Sequence, residues 1–149
     1  MNPPTDIDRI SADVVDEAIK IHRELGPGLL ESVYETVLGR ALERRGYEVA
    51  RQWSVSIDYD GLHFEEAFRV DLLIDQRLII EVKSVEALSK AHAKQLLTYL
   101  RLLKQPVGLL LNFSAALMKD GIRRLVNDYR PERDISALSA SLREINSGA

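Results

Sequence analysis

The chain has 149 residues, of which 46% are hydrophobic and 29% charged, the proportions of an ordinary globular domain. It contains no cysteine, which excludes a disulfide framework, a thiol nucleophile and a thiolate zinc site. Twenty basic and 23 acidic side chains leave a net charge of −3, a balance that does not suit general polyanion binding. The distribution is uneven, however. Residues 1–83 carry 10 basic and 17 acidic side chains, and residues 84–130 carry 8 and 3. No apolar run is long enough to span a membrane, and residues 1–6 lack the basic and apolar regions of a signal peptide. A cytoplasmic location is expected, with no membrane partner.

Ile10, Val14, Ala18, Ile21 and Leu25 recur at helical spacing and predict a helix over residues 10–25, capped by Ser11 or Asp13 and broken at Gly26-Pro27-Gly28. A second helix is expected over 29–45, with Leu30, Val33, Val37, Leu38, Ala41 and Leu42 as its buried stripe and Gly46 at its end. The period then changes to two. Residues 49–59 alternate around Trp53, Val55 and Ile57, and Asp60-Gly61 signals a hairpin turn into a strand over 62–74. A third strand is expected over 78–85, a helix over 89–104, and a doubly buried strand over 107–113. Closing helices are expected over 118–129 and 135–145. Three meandering strands and a helical crossover to a fourth imply an α/β fold with a mixed four-stranded sheet flanked by helices. The whole chain, 1–149, reads as one domain with its core over 29–113.

The tight turn Asp75-Gln76-Arg77 fixes the pairing of the second and third strands. Ile74 then faces Leu78, Leu72 faces Ile80, and Asp71 faces Glu81. Val70, Leu72, Ile74, Leu78, Ile80 and Val82 share one apolar face, and Asp71, Glu81 and Lys83 gather on the other. Two carboxylates directly across an antiparallel pair, with Cβ atoms about 4.5–5.5 Å apart, call for a positive partner. Mg²⁺, which takes one or two carboxylates and keeps several waters, is a natural one. The alternative is a salt bridge from Lys83 to Glu81 or Asp71, joined by Arg69.

On the following helix His92, Gln95 and Tyr99 form a polar stripe, accompanied by the cations Lys90, Lys94, Arg101 and Lys104. This is either a phosphate-facing helix beside the carboxylates or a solvated face bordering the core. After the glycine break comes Gly28-xx-Glu31-xx-Tyr34. Glu31 is favourable against the helix dipole, as is its neighbour Glu35. No P-loop and no nucleophile elbow occur, and His22, His63 and His92 lack metal-ligand spacing.

Asp71, about ten residues, then Glu81-Val82-Lys83 resembles the core motif of the PD-(D/E)xK nuclease superfamily. The helix–three strands–helix–strand order resembles its restriction-endonuclease-like α-β-β-β-α-β core. Together with Gly28-xx-Glu31-xx-Tyr34 and Gln95-xxx-Tyr99, these residues resemble the GxxExxY family within it, over about residues 15–127. The resemblance implies a Mg²⁺-dependent nuclease, with Mn²⁺ as a substitute and DNA as the expected substrate. Glu31, Asp71 and Glu81 would bind the metal, Lys83 would orient water and stabilise the transition state, and Gln95 would assist. Gly28, Tyr34, His22, His92 and Tyr99 would line the site, and Lys90, Lys94 and Arg101 would meet nucleic acid. Two alternatives stay open: a catalytically silent module that binds nucleic acid or protein, and a hydrolase of small phosphoesters. A homodimer or a protein partner would supply sequence specificity.

Overall fold

A computed structural model describes residues 6–128. The helix expected over 135–145 and the end of the one expected over 118–129 lie outside these residues.

Helix α1 (Ile7–Leu25) begins earlier than expected, because the Asp6 side chain takes the Asp8 N–H at 3.0 Å. Neither proposed cap serves. Ser11 Oγ donates back to the Ile7 carbonyl, and Asp13 accepts from Tyr47 Oη and pairs with Arg45. Helix α2 (Glu31–Arg44) buries Tyr34, Glu35, Leu38, Gly39 and Leu42. The expected stripe is therefore rotated. Leu38 and Leu42 are inside, whereas Leu30 is 74% exposed and Val33 and Val37 face outward, because Tyr34 is the larger anchor and turns the helix about itself.

Strands β1 (Val49–Tyr59), β2 (Leu62–Ile74) and β3 (Leu78–Lys83) form the expected antiparallel meander. The Asp60-Gly61 turn has φ of +49° and +76°, the left-handed pair that a two-residue hairpin requires. Helix α3 (Lys90–Leu103) carries the chain across to β4 (Val107–Asn112), which runs parallel to β3 and is buried at every position.

The chain then departs from the expected helix. A single 3-10 turn, Met118–Gly121, leads into β5 (Ile122–Val126), antiparallel to β4. The sheet thus has five strands in chain order, not four. Gly121 explains the change of course. A Cβ there would lie 2.3 Å from the Asn112 carbonyl oxygen, so the turn can press against the end of β4 only with glycine. The chain it releases runs back along that strand.

One face of the sheet packs on α1 and α2. Ile10, Val14, Tyr34, Leu38 and Leu42 meet Leu72, Ile74, Leu78, Ile80 and Leu109. The other packs on α3, where Leu96 and Leu100 meet Val70, Leu73, Ile79 and Leu110. Each such buried aliphatic side chain stabilises the fold by about 1.5–3 kcal/mol. No helix among the described residues is long and apolar enough to cross a membrane.

Candidate active site

Tyr34, fully buried, anchors the loop that lines the cleft. Its hydroxyl donates to the Gly26 carbonyl at 2.5 Å and accepts the Leu29 N–H at 3.1 Å, while its ring stacks on Phe113 at 4.4 Å. Gly26 and Gly28 take φ of +74° and +99°, which lets the loop fold over the hydroxyl. The same loop presents Glu31 at the start of α2. Glu31 Oε1 accepts the Ser84 N–H at 3.1 Å, and Ser84 Oγ donates to the Leu29 carbonyl at 2.8 Å. The α1–α2 loop is thereby fastened to the chain just beyond Lys83.

The β2–β3 ladder follows the expected register through Leu72 and Ile80, and there it stops. Beyond it the side chains do what the backbone would have done. Asp71 Oδ2 accepts the Val82 N–H at 2.8 Å, and Glu81 Oε1 accepts the Asp71 N–H at 3.2 Å. Asp71 and Glu81 are therefore brought together as expected, but across a parting of the strands rather than as a regular ladder pair. The apolar face is also interrupted. Val70 packs with Leu73 and Ile79, on the α3 side, whereas Leu72 packs on α1 and α2. The break falls at Asp71, across from Gln52, whose φ is +48°.

Glu81 is only 4% exposed. Burial first, and then the Asp71 charge, push its carboxyl up to about 8, against the opposing pull of Lys83. Among the described residues Lys83 forms no ion pair, and Arg69 pairs with Glu66 instead of joining the carboxylates. The salt-bridge alternative for these residues is not what the fold adopts.

Gly28, Glu31, Glu35, Gln52, Asp71 and Ser84 line an open cleft of about 700 Å³. Glu35 and Gln52 are residues for which the sequence assigned no site role. Glu35 is buried, both its oxygens accept from Gln52 Nε2 at 3.0 Å, and burial pushes its carboxyl upward. Asn112 was also missed. It accepts the Val85 and Ser114 N–H groups and donates to the Val85 carbonyl, holding the loop after β3 against the end of β4.

The α3 residues divide. Tyr99 stacks on Phe68 at 4.1 Å, and burial and then the Glu81 and Asp71 charges push its hydroxyl upward, which puts it within electrostatic reach of the carboxylates. Gln95 is exposed and is not among the residues lining the cleft. His92 does not line it either. Its ring is half of a capping box, Nδ1 accepting the Ser89 N–H at 3.0 Å while its own N–H donates to Ser89 Oγ. His22 is buried beneath the cleft loop, where Nε2 donates to the Ala115 carbonyl at 2.7 Å. Both histidines are architectural. Lys90, Lys94 and Arg101 are exposed, on a stripe roughly 140° around the helix from Gln95 and Tyr99 at 100° per residue.

Among the described residues no three histidine, aspartate or glutamate side chains converge into a preformed metal cage. The expected trio of Glu31, Asp71 and Glu81 does not form such a cage, and Glu31 engages the Ser84 N–H through Oε1. The pair Asp71 and Glu81 nevertheless fits a hard cation. Its donors are all carboxylate oxygen, and the partners of those oxygens include the Val82 and Asp71 N–H groups and the Gln52 amide. Mg²⁺ needs only one or two protein carboxylates.

The sequence signature of the PD-(D/E)XK nuclease superfamily matches residues 8–125. The chain belongs to this superfamily. The match runs from α1 through β5, so the superfamily assignment covers both the cleft and the sheet that builds it. The crystal structure of SSO0001 is similar at 22% identity, covering 89% of this chain and 71% of its own, with a TM-score of 0.38. No curated protein matches the chain.

Proposed function

We propose that this member of the superfamily is a Mg²⁺-dependent nuclease of the GxxExxY type, cleaving phosphodiester bonds in DNA in the cytoplasm as a single-domain protein. The observation that carries this reading is the reciprocal hold of Asp71 and Glu81 at the parted end of β2 and β3. It sets two carboxylates side by side, Asp71 lining the cleft and Glu81 behind it, with no ion pair to either among the described residues.

Asp71 and Glu81 would hold the cation, with Glu31 on the cleft wall. When bound, Mg²⁺ or Mn²⁺ neutralises phosphate charge and lowers the pKa of a coordinated water. Lys83 lies two residues from Glu81, and its ammonium, free of any ion pair among the described residues, is available to orient the nucleophile and stabilise charge on the phosphorane-like transition state. Tyr99 lies within electrostatic reach of the carboxylates, and Gln95 would assist from α3. The Tyr34 hydroxyl keeps the 26–29 loop, and hence Glu31, in place.

Nuclease activity in purified protein with Mg²⁺ or Mn²⁺ should vanish in Asp71→Ala, Glu81→Ala and Lys83→Ala. Activity surviving in all three would defeat the mechanism. Cleavage of a small phosphodiester but not of DNA would point to the hydrolase alternative. Metal binding without turnover on either would point to the silent module.

A further inference from the structure

We propose that Gln52 is a positioning residue of the metal site, holding Asp71 and Glu35 in the arrangement that receives the cation. The inference rests on the metal-dependent reading above.

Gln52 lies on β1, a strand with no residue in the motifs of this superfamily that the sequence displays. Its single amide group nevertheless touches both walls of the cleft. Nε2 lies 3.0 Å from each oxygen of Glu35 on α2 and 3.2 Å from Asp71 Oδ1 on β2. An amide has two hydrogens, so three carboxylate oxygens share two donors. This crowding of acceptors around one neutral group is what a strand residue chosen for packing alone would not produce.

The backbone is bent to achieve it. Successive strand side chains normally point to opposite faces, yet Arg51 and Gln52 both reach α2. Arg51 Nη2 donates to Thr36 Oγ1 at 2.7 Å, and its Nε lies 3.8 Å from Glu35 Oε1. The φ of +48° at Gln52 turns its side chain back toward the helix. That conformation is unfavourable for a residue with a Cβ, and persists where surrounding structure over-determines it. Here the surroundings are the two carboxylates and the ladder pairs Arg51–Leu72 and Trp53–Val70 on either side.

The consequence for Asp71 is specific. Its Oδ2 is fixed by the Val82 N–H and its Oδ1 by Gln52, so both torsions of the side chain are determined before any cation arrives. Each oxygen keeps a second lone pair for a metal. Groups that orient metal ligands from behind typically change metal affinity 10–100-fold when removed.

The test is calorimetric titration of the full chain with Mn²⁺ alone, comparing wild type, Gln52→Met and Gln52→Asn, with melting temperatures measured in EDTA. Gln52→Met keeps the length and loses both donors, and should weaken Mn²⁺ binding about tenfold or more. Gln52→Asn, one methylene too short to span both carboxylates, should weaken it by about threefold and serves alone if the Met variant does not fold. Equal affinity in wild type and variants, whatever the melting temperatures, overturns the positioning role. A flat wild-type titration overturns the metal-dependent reading itself, and this inference with it, so the two failures are told apart by the wild-type curve.

Discussion

The Asp71 N–H donates to the Glu81 carboxylate, and the Asp71 carboxylate accepts the N–H of the residue after Glu81. Each acidic side chain is anchored by the strand that bears the other. Glu81 is the deeper of the two, and in the metal-free protein its carboxyl is pushed up to about 8. Folding therefore takes up a proton at this site. The stabilising contribution of that proton is complete below the unfolded value near 4.5 and is lost as pH rises through about 8. Glu81→Gln keeps an acceptor for the Asp71 N–H and removes the titration. In EDTA its melting temperature should match wild type near pH 4 and exceed it by about 5 °C near pH 9. Calorimetric scans across that range check it, and parallel curves would contradict it.

Tyr34→Phe should separate the two tasks of Tyr34. The ring stack on Phe113 survives, while the Gly26 carbonyl and the Leu29 N–H lose their partner. The expected loss is about 1–2 kcal/mol in urea denaturation, with faster proteolysis between Gly26 and Leu30. Unchanged stability would show that the loop is held by other contacts.

Gly121→Ala should cost about 2–3 kcal/mol, since the new methyl meets the Asn112 carbonyl at 2.3 Å and both are backbone-bound. Lys119→Ala, on the exposed side of the same turn, should stay within about 0.5 kcal/mol. Similar values for the two in urea melts would refute the close-approach account of why β5 forms.

His92→Ala should lower stability by about 1 kcal/mol through loss of the capping box. Cleavage rates measured below its melting range should change less than about twofold. A large kinetic loss in a stably folded variant would return His92 to the site.

The elements of the hairpins were legible because their signals are local. Asp60-Gly61 and the short 75–77 link each dictate a turn, and alternation does the rest. The pairing of Leu72 with Ile80 and of Ile74 with Leu78 follows directly, and it led to Asp71 and Glu81. Gln52 was not legible for an equally physical reason. Counting back from the Tyr59–Leu62 closure places Ala50 across from Asp71. The irregularity between Val55 and Ile57 shifts the pairing, so that Gln52 takes that place. Nothing local in Ser56, Glu65, Glu66 or Ala67 announces such a shift. Residues 118–126 misled because Leu117, Met118, Gly121, Ile122 and Leu125 imitate a helical stripe. The close approach that Gly121 permits is to the Asn112 carbonyl, a contact visible only in three dimensions. His22 and His92 are held by the backbone. Their chemistry permits a role at a site, but each nitrogen that the fold uses is bound to the backbone.

The early end of the β2–β3 ladder parts one edge of the five-stranded sheet into two arms. β3 stays with β4 as far as Lys83 and Asn112, while β2 stays with β1. Glu81 and Lys83 lie on the first arm, and Asp71 and Gln52 on the second. The spacing of the two carboxylates is therefore set by their two reciprocal hydrogen bonds to the opposite backbone, where no ladder pair continues.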